Sequence, residues 1–221
     1  MQILGIDTCG TTGTVALARL ENEHLTLLEQ TEILGKTYSA RLVPTIRKIL
    51  TAHSVTLPEV AAIVVTSGPG SFTGIRIGLS TAKGLAEPTS IPILAVSRLA
   101  VLAGKAGTEA AALDASRGEF YFGDGSRGTE SLLNREVFLE RAAGLGSKLA
   151  VCEASLHALI PTATLVDPPT AIDAIQSVLA RLARRDFDDP LLLEANYLRR
   201  SDAEIFSAPG APPRHEPARR P

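Results

Sequence analysis

Two carboxylates mark the places where this chain could do chemistry. Asp7 ends the apolar run Ile3-Leu4-Gly5-Ile6 and leads into Cys9-Gly10-Thr11-Thr12-Gly13, while Asp114 ends the run Ala110 to Leu113 and leads into Ser116-Arg117-Gly118. A carboxylate at the mouth of a strand can hold a hydrated divalent metal, and the amides of a glycine- and threonine-rich turn beside it can bind phosphate oxygens. The same carboxylates can also accept bonds from the turn amides that follow them, with no ligand at all. Other reactive side chains are dispersed. His24, His53, His157 and His215 show no two-histidine helical spacing of a metal site. Ser71 follows a glycine-containing turn, but Gly-Pro-Gly-Ser-Phe is not the Gly-x-Ser-x-Gly elbow of a nucleophile, and no base accompanies it. Ser71 reads as a helix cap. The two cysteines, Cys9 and Cys152, lack metal-ligand spacing and read as free thiols in a reducing compartment.

Apolar runs bounded by turn residues predict strands over 2–8, 12–19 and 24–33, a helix over 38–53, a strand over 60–66, a helix over 72–86, a strand over 91–95 and a short helix near Arg98. In the helix over 38–53, Tyr38, Leu42, Ile46, Ile49 and Leu50 share one face and Arg41, Arg47 and Lys48 fall elsewhere. The pattern returns more weakly after residue 104. Strand-like 110–114 and 119–123 precede a helix near 135–143, a strand near 149–152 and a long helix over 170–185. The expectation is an α/β protein of two related halves, 1–103 and a reduced 104–206, followed by a flexible Pro/Ala/Arg tail, 207–221.

Composition narrows the function classes. The chain has 221 residues, 45% of them hydrophobic, enough for one or two cores. Its formal net charge of −2 supplies no broad positive field, which argues against tight binding of a nucleic-acid backbone by this chain alone. The strand-like start is broken by Asp7 too early for a signal peptide, and no apolar run reaches membrane-spanning length. The reading is a cytoplasmic protein with no membrane partner.

Residues 67–78, Ser67-Gly68-Pro69-Gly70-Ser71-Phe72-Thr73-Gly74-Ile75-Arg76-Ile77-Gly78, pack a rigid turn, a cap and a helix start into one stretch. Gly74, Gly78, Ala82 and Ala86 then recur every four residues and form one ridge. Interior glycines cost a helix roughly 1 kcal/mol each, so the ridge implies close approach of another backbone. That neighbour is either a helix of the same molecule or a second subunit. Arg76 leaves the helix on another side, where it is solvated or pairs with an acidic group at an interface rim.

This stretch resembles the GPGSFTGLRIG signature of the TsaB (YeaZ) family. Ile3-Leu4-Gly5-Ile6-Asp7-Thr8 is similar to the family's first strand, and Leu113-Asp114-Ala115-Ser116-Arg117-Gly118-Glu119-Phe120-Tyr121 to its DARxGEVY segment. Asn196-Tyr197-Leu198-Arg199 with Ala203-Glu204-Ile205 resembles its carboxyl-terminal helix region. Where the family commonly shows His-Ser, this chain has Tyr38-Ser39. The resemblance implies two ribonuclease H-like halves of the actin-like, sugar-kinase and Hsp70 superfamily. Asp7, Thr8, Thr11 and Asp114 would be a vestigial nucleotide site. The chain would be a non-catalytic scaffold for TsaD in threonylcarbamoyl transfer to adenosine 37 of tRNA, with TsaE as a further partner. ATP and a metal would serve the complex, the metal in TsaD, with no cofactor bound by this chain alone. tRNA would be met only through the complex, and a homodimer would form when TsaD is absent. The expected docking face comprises Leu42, Ile46, Gly70, Ser71, Phe72, Thr73, Gly74, Ile75, Arg76, Gly78, Leu79 and Ala82, so that Gly78→Leu would break the complex and leave the monomer folded. An ATP-dependent kinase-like enzyme using Asp7 and Asp114, and a metal-dependent glycopeptidase-like protein, are the alternatives.

Overall fold

The computed structural model describes residues 1–199. Ala203-Glu204-Ile205 and the tail 207–221 lie outside the described residues. Strands β1 (Gln2–Asp7), β2 (Thr12–Glu21) and β3 (His24–Leu34) form an antiparallel meander. Strands β4 (Val60–Thr66) and β5 (Ile93–Val96) add to it in parallel, giving the order β3-β2-β1-β4-β5. The second sheet contains β6 (Ala110–Asp114), β7 (Glu119–Asp124), β8 (Thr129–Asn134), β9 (Leu149–Val151) and β10 (Thr164–Leu165). Its order, read from the other edge, is β8-β7-β6-β9-β10, with the same antiparallel and parallel pairings. The two halves therefore share one ribonuclease H-like topology.

Helices fill the layers around these sheets: α1 (Tyr38–Ala52), α2 (Phe72–Ala86), α3 (Arg98–Ala106), α4 (Arg135–Ala143), α5 (Ala154–Leu159), α6 (Ala171–Ser177) and α7 (Leu179–Ala183). Strands covered on both faces must be apolar throughout, and five of the six residues of β1 are buried. On one face of the first sheet, Leu4, Ile6, Ile63 and Val65 meet Leu42, Ile46 and Ile49 of α1 and Ile75 and Leu79 of α2. On its other face Ile3, Ala16, Ala62 and Val64 meet Ala171, Ala174 and Ile175 of α6 and Leu182 of α7. The second sheet is covered by Phe138 of α4 and Leu156 of α5 on one side and by Leu99 and Leu102 of α3 on the other.

Two expectations are corrected here. The long helix over 170–185 is two helices, broken at Val178, whose φ of −108° and ψ of 6° leave the helical range; its amide bonds to Ile175 O in a tighter turn. The boundary between halves near residue 103 holds for the sheets but not for the helices. Segment 171–183 belongs by packing to the first sheet, and α3 lies against the second. The sequence reading also omitted β8, α5 and β10, which are short and weakly patterned.

Candidate functional site

A cleft of about 760 Å³ lies between the halves where the two first-strand hairpins and the turn before α2 converge. Thr11, Gly70, Ser71, Asp114, Arg117 and Tyr121 line it, together with the segment Asn196-Tyr197-Leu198-Arg199. That segment, expected to belong to a helix region, carries no helix within the described residues.

Asp7 is 1% exposed and is not among the residues lining the cleft. Its Oδ1 accepts bonds from the Cys9 amide at 2.9 Å and from the Thr66 hydroxyl at 2.7 Å. Its Oδ2 lies 3.7 Å from Arg98 Nε, an ion pair almost wholly removed from solvent. Burial alone would lower the Arg98 pKa, but the nearby acidic groups, the Asp7 carboxylate foremost, outweigh it and hold the pKa above its ordinary value. Burial, and then Asp7, push the Cys9 thiol far above its usual range, so Cys9 is an inert core residue that donates to Thr66 Oγ1 at 3.2 Å. Thr8 is equally buried and donates to Gly74 O at 2.7 Å. Of the four residues expected to form a vestigial nucleotide site, Thr11 and Asp114 reach the cleft and Asp7 and Thr8 do not. Asp114 is exposed, with Oδ1 accepting from Ser116 N at 2.7 Å, the ordinary turn bond that its sequence allowed.

Glu153 was missed by sequence reasoning. It lies two residues beyond β9, and its Oε1 accepts from the Asp114 amide at 3.4 Å while Oε2 is buried with no hydrogen-bond partner among the described residues. Burial raises its carboxyl above the usual range. An acidic residue two positions beyond an apolar strand was the available signal.

The turn before α2 is fixed by backbone as well as by sequence. Gly70 has φ of +154°, and a Cβ there would lie 2.3 Å from Cys9 O, whose oxygen instead accepts from Ser71 N at 2.7 Å. Ser71 caps α2 by accepting from Gly74 N at 3.2 Å.

The small-residue ridge does not face outward. A Cβ on Gly74 would lie 2.0 Å from Thr8 O and 3.1 Å from the Tyr38 ring, and one on Gly78 would lie 2.3 Å from Thr8 Oγ1. The close neighbour is therefore the β1–β2 hairpin of the same chain, with Tyr38 of α1 beside it. Leu42, Ile46, Gly74, Ile75, Gly78, Leu79 and Ala82 are all buried, so they cannot be the docking face in this conformation. For the same reason Gly78→Leu would disrupt the monomer. Tyr38 donates to Gly10 O at 2.9 Å and so joins α1 to that hairpin. Arg76 is neither solvated alone nor waiting for an acidic group: its Nε donates to Tyr197 Oη at 2.7 Å and its guanidinium lies 3.9 Å from the Phe72 ring centroid.

Of the expected face, Ser71, Phe72, Thr73 and Arg76 are exposed, and α1 and α2 expose further residues. Val43 is 53% exposed, and with Pro44, Arg47, Lys48, Thr51 and Ala52 it lines a shallow groove of about 660 Å³ along the outside of α1. On α2 the exposed or half-exposed residues Thr73, Ile77, Ser80 and Gly84 share one face, and a Cβ on Gly84 would meet nothing within 4 Å.

Comparison with known proteins places this architecture. The family model described as TsaD, tRNA N6-adenosine threonylcarbamoyltransferase, matches residues 28–145. The chain is 33% identical over 165 residues to the Escherichia coli tRNA threonylcarbamoyladenosine biosynthesis protein TsaB, covering 67% of this chain and 69% of that protein. It is 39% identical over 127 residues to the Bacillus subtilis protein of the same name, covering 56% of this chain and only 54% of the relative. Among solved structures, YeaZ from Pseudomonas aeruginosa superposes with a TM-score of 0.70 at 28% identity, covering 88% of this chain and all (100%) of the other. With the shared signature, the two like halves and these matches taken together, the chain belongs to the TsaB (YeaZ) family.

Proposed function

We propose that this chain is a non-catalytic subunit that binds and supports TsaD in the transfer of a threonylcarbamoyl group to adenosine 37 of tRNA. The observation that carries the reading is the pair of outward faces on α1 and α2. Val43, Pro44, Ile77 and Gly84 offer apolar or small surface, and the Gly84 backbone is bare to anything that approaches. An exposed interior glycine costs its helix about 1 kcal/mol with no internal packing to offset it. A partner helix lying against the bare backbone would supply the missing contact. The names of the relatives support the pathway, and the match to the family model described as TsaD supports kinship with that protein.

The engagement of Asp7 supports a supporting role over a kinase-like one. A metal-binding carboxylate must present oxygens to the cleft, whereas Asp7 is sealed away from it, with Oδ1 bonded to Thr66 and the Cys9 amide and Oδ2 facing Arg98 at 3.7 Å without a hydrogen bond. In this reading TsaD holds the metal, ATP is used by the complex with TsaE, tRNA is reached only through the assembly, and the work is done in the cytoplasm. No helix of the described residues is long and apolar enough to cross a membrane. Without TsaD the same face would pair two copies about a two-fold axis.

The test is co-purification of tagged full-length chain with TsaD. Val43→Asp and Gly84→Trp change only outward positions, so both proteins should stay folded, melting no more than a few degrees from the parent, and both should lose TsaD. Undiminished recovery of TsaD with both variants would remove the α1–α2 face from consideration.

A further inference from the structure

The segment after α7 does more than end the described chain. It begins on the edge of the first sheet, where Asp188 Oδ2 accepts from Ala95 N at 2.7 Å and Arg181 holds Asp188 Oδ1 at 3.0 Å. Leu193 and Ala195 then pack against the core under α2. At the cleft Asn196 N donates to Ser67 O at 2.7 Å, just beyond β4 of the first half. The next bonds go to the other half. Asn196 Nδ2 donates to Glu130 Oε2 on β8, Leu198 packs in the cluster of Leu113 and Tyr121, and Arg199 pairs with Glu119 and donates to Ser116 O at 3.2 Å.

Glu130 is the meeting point. One of its oxygens accepts from Asn196 and the other from the hydroxyl of Ser97, the residue that caps α3 by accepting from Leu99 N. A single carboxylate of the second half thus holds both the segment and the start of the helix that joins the two sheets.

From these contacts we infer that residues 193–199 are a cross-tie that fixes the opening between the halves. Helices α3 and α6 pack against each other in the layer between the sheets, and a joint of packed helices alone permits shear. The tie adds bonds to both sides of the cleft at once, so opening the cleft requires breaking either its first-half contacts, the Ser67 bond with those of Tyr197 to Arg76 and Phe72, or the set on Glu130, Glu119 and Ser116. The second half is thereby held in one orientation relative to the outward faces of α1 and α2. A body that enters the cleft must fit beside this segment or displace it.

The experiment measures the distance between nitroxide labels on Lys36→Cys and Glu140→Cys, one exposed position in each half, by pulsed electron resonance. Cys152→Ser keeps the partly exposed native thiol silent, and Cys9 is buried. The parent should give one narrow distance population. Asn196→Ala with Arg199→Ala, which removes side-chain bonds to the second half only, should broaden the distribution and extend it to longer distances. Tyr197→Phe, which removes only the bond to Arg76 within the first half, should leave it unchanged. Glu130→Gln keeps shape but turns one acceptor into a donor, and should broaden the distribution in the same direction by less. If the double variant does not fold, the Glu130→Gln distribution alone decides. Parent-like distributions in Glu130→Gln and in any folded double variant would overturn the proposal.

Discussion

Replacing Gly74 by alanine adds one methyl group, and the structure says where it would go. The new carbon would sit 2.0 Å from the Thr8 carbonyl oxygen, far inside the roughly 3.4 Å at which carbon and oxygen touch. The obstacle is backbone, and it cannot rotate away. Thr8 is pinned by its own hydroxyl bond to Gly74 O, and its neighbours Asp7 and Cys9 by bonds to Thr66 and to each other. Relief requires α2 to lift off the hairpin, which opens the packing of Ile75 and Leu79. Overfilling a packed core costs typically 1–3 kcal/mol, and a rigid obstacle puts this case near the upper end. Exchanging a helical glycine for alanine returns about 1 kcal/mol. The net loss should be about 2 kcal/mol, which for a protein of this size lowers Tm by roughly 4–8 °C. Gly84→Ala is the matched control on the same helix. With nothing within 4 Å of the new methyl group, it should gain up to about 1 kcal/mol and raise Tm by a few degrees. Urea unfolding followed by far-ultraviolet circular dichroism reads both, with equal slopes expected. A Gly74→Ala protein as stable as the parent would mean that the ridge does not bear on the hairpin as described.

Arg98→Ala should be among the most damaging single changes, because it leaves the Asp7 carboxylate buried without its counter-charge; the expected cost is about 3–5 kcal/mol. Asp7→Asn added to Arg98→Ala should recover much of that loss, and a double-mutant cycle in urea that shows no coupling would contradict the pair. Burial raises the Glu153 carboxyl, so the folded state favours the protonated form and ionisation opposes folding. That penalty is absent below the ordinary carboxylate value and complete above the raised one. Glu153→Gln should therefore be more stable than the parent at neutral pH, with the difference shrinking as pH falls through the raised range, as compared by urea midpoints across that range.

The sequence was most legible where burial on both sides forces continuous apolar runs. The strands of the first half and α1 and α2 are long enough, and patterned clearly enough, to be placed within a residue or two. Short elements such as β10, with two residues, carry too few positions to show a period. The site was harder to read. A ridge of Gly74, Gly78 and Ala82 signals a close neighbour, but periodicity does not say whether that neighbour lies in the same chain; the answer, Thr8, is 66 residues from Gly74. Asp7 and Asp114 occupy matching positions in the two halves, yet one is sealed and the other exposed. The difference comes from Arg98 and Thr66, which only the folded topology brings beside Asp7.

The exchange of closing helices between the two sheets has a consequence for anyone cutting this gene. A fragment ending at residue 103 would strip Ala171, Ala174 and Ile175 from the back of its sheet and leave Ile3, Ala62 and Val64 wet, while most of α3 would dangle without the strands it was made to cover. The complementary piece would fare no better, since it would carry a pair of helices with nothing beneath them. Neither half is a self-sufficient module. Shortened versions of this protein have to be made by trimming loops, and its two sheets stand or fall as one.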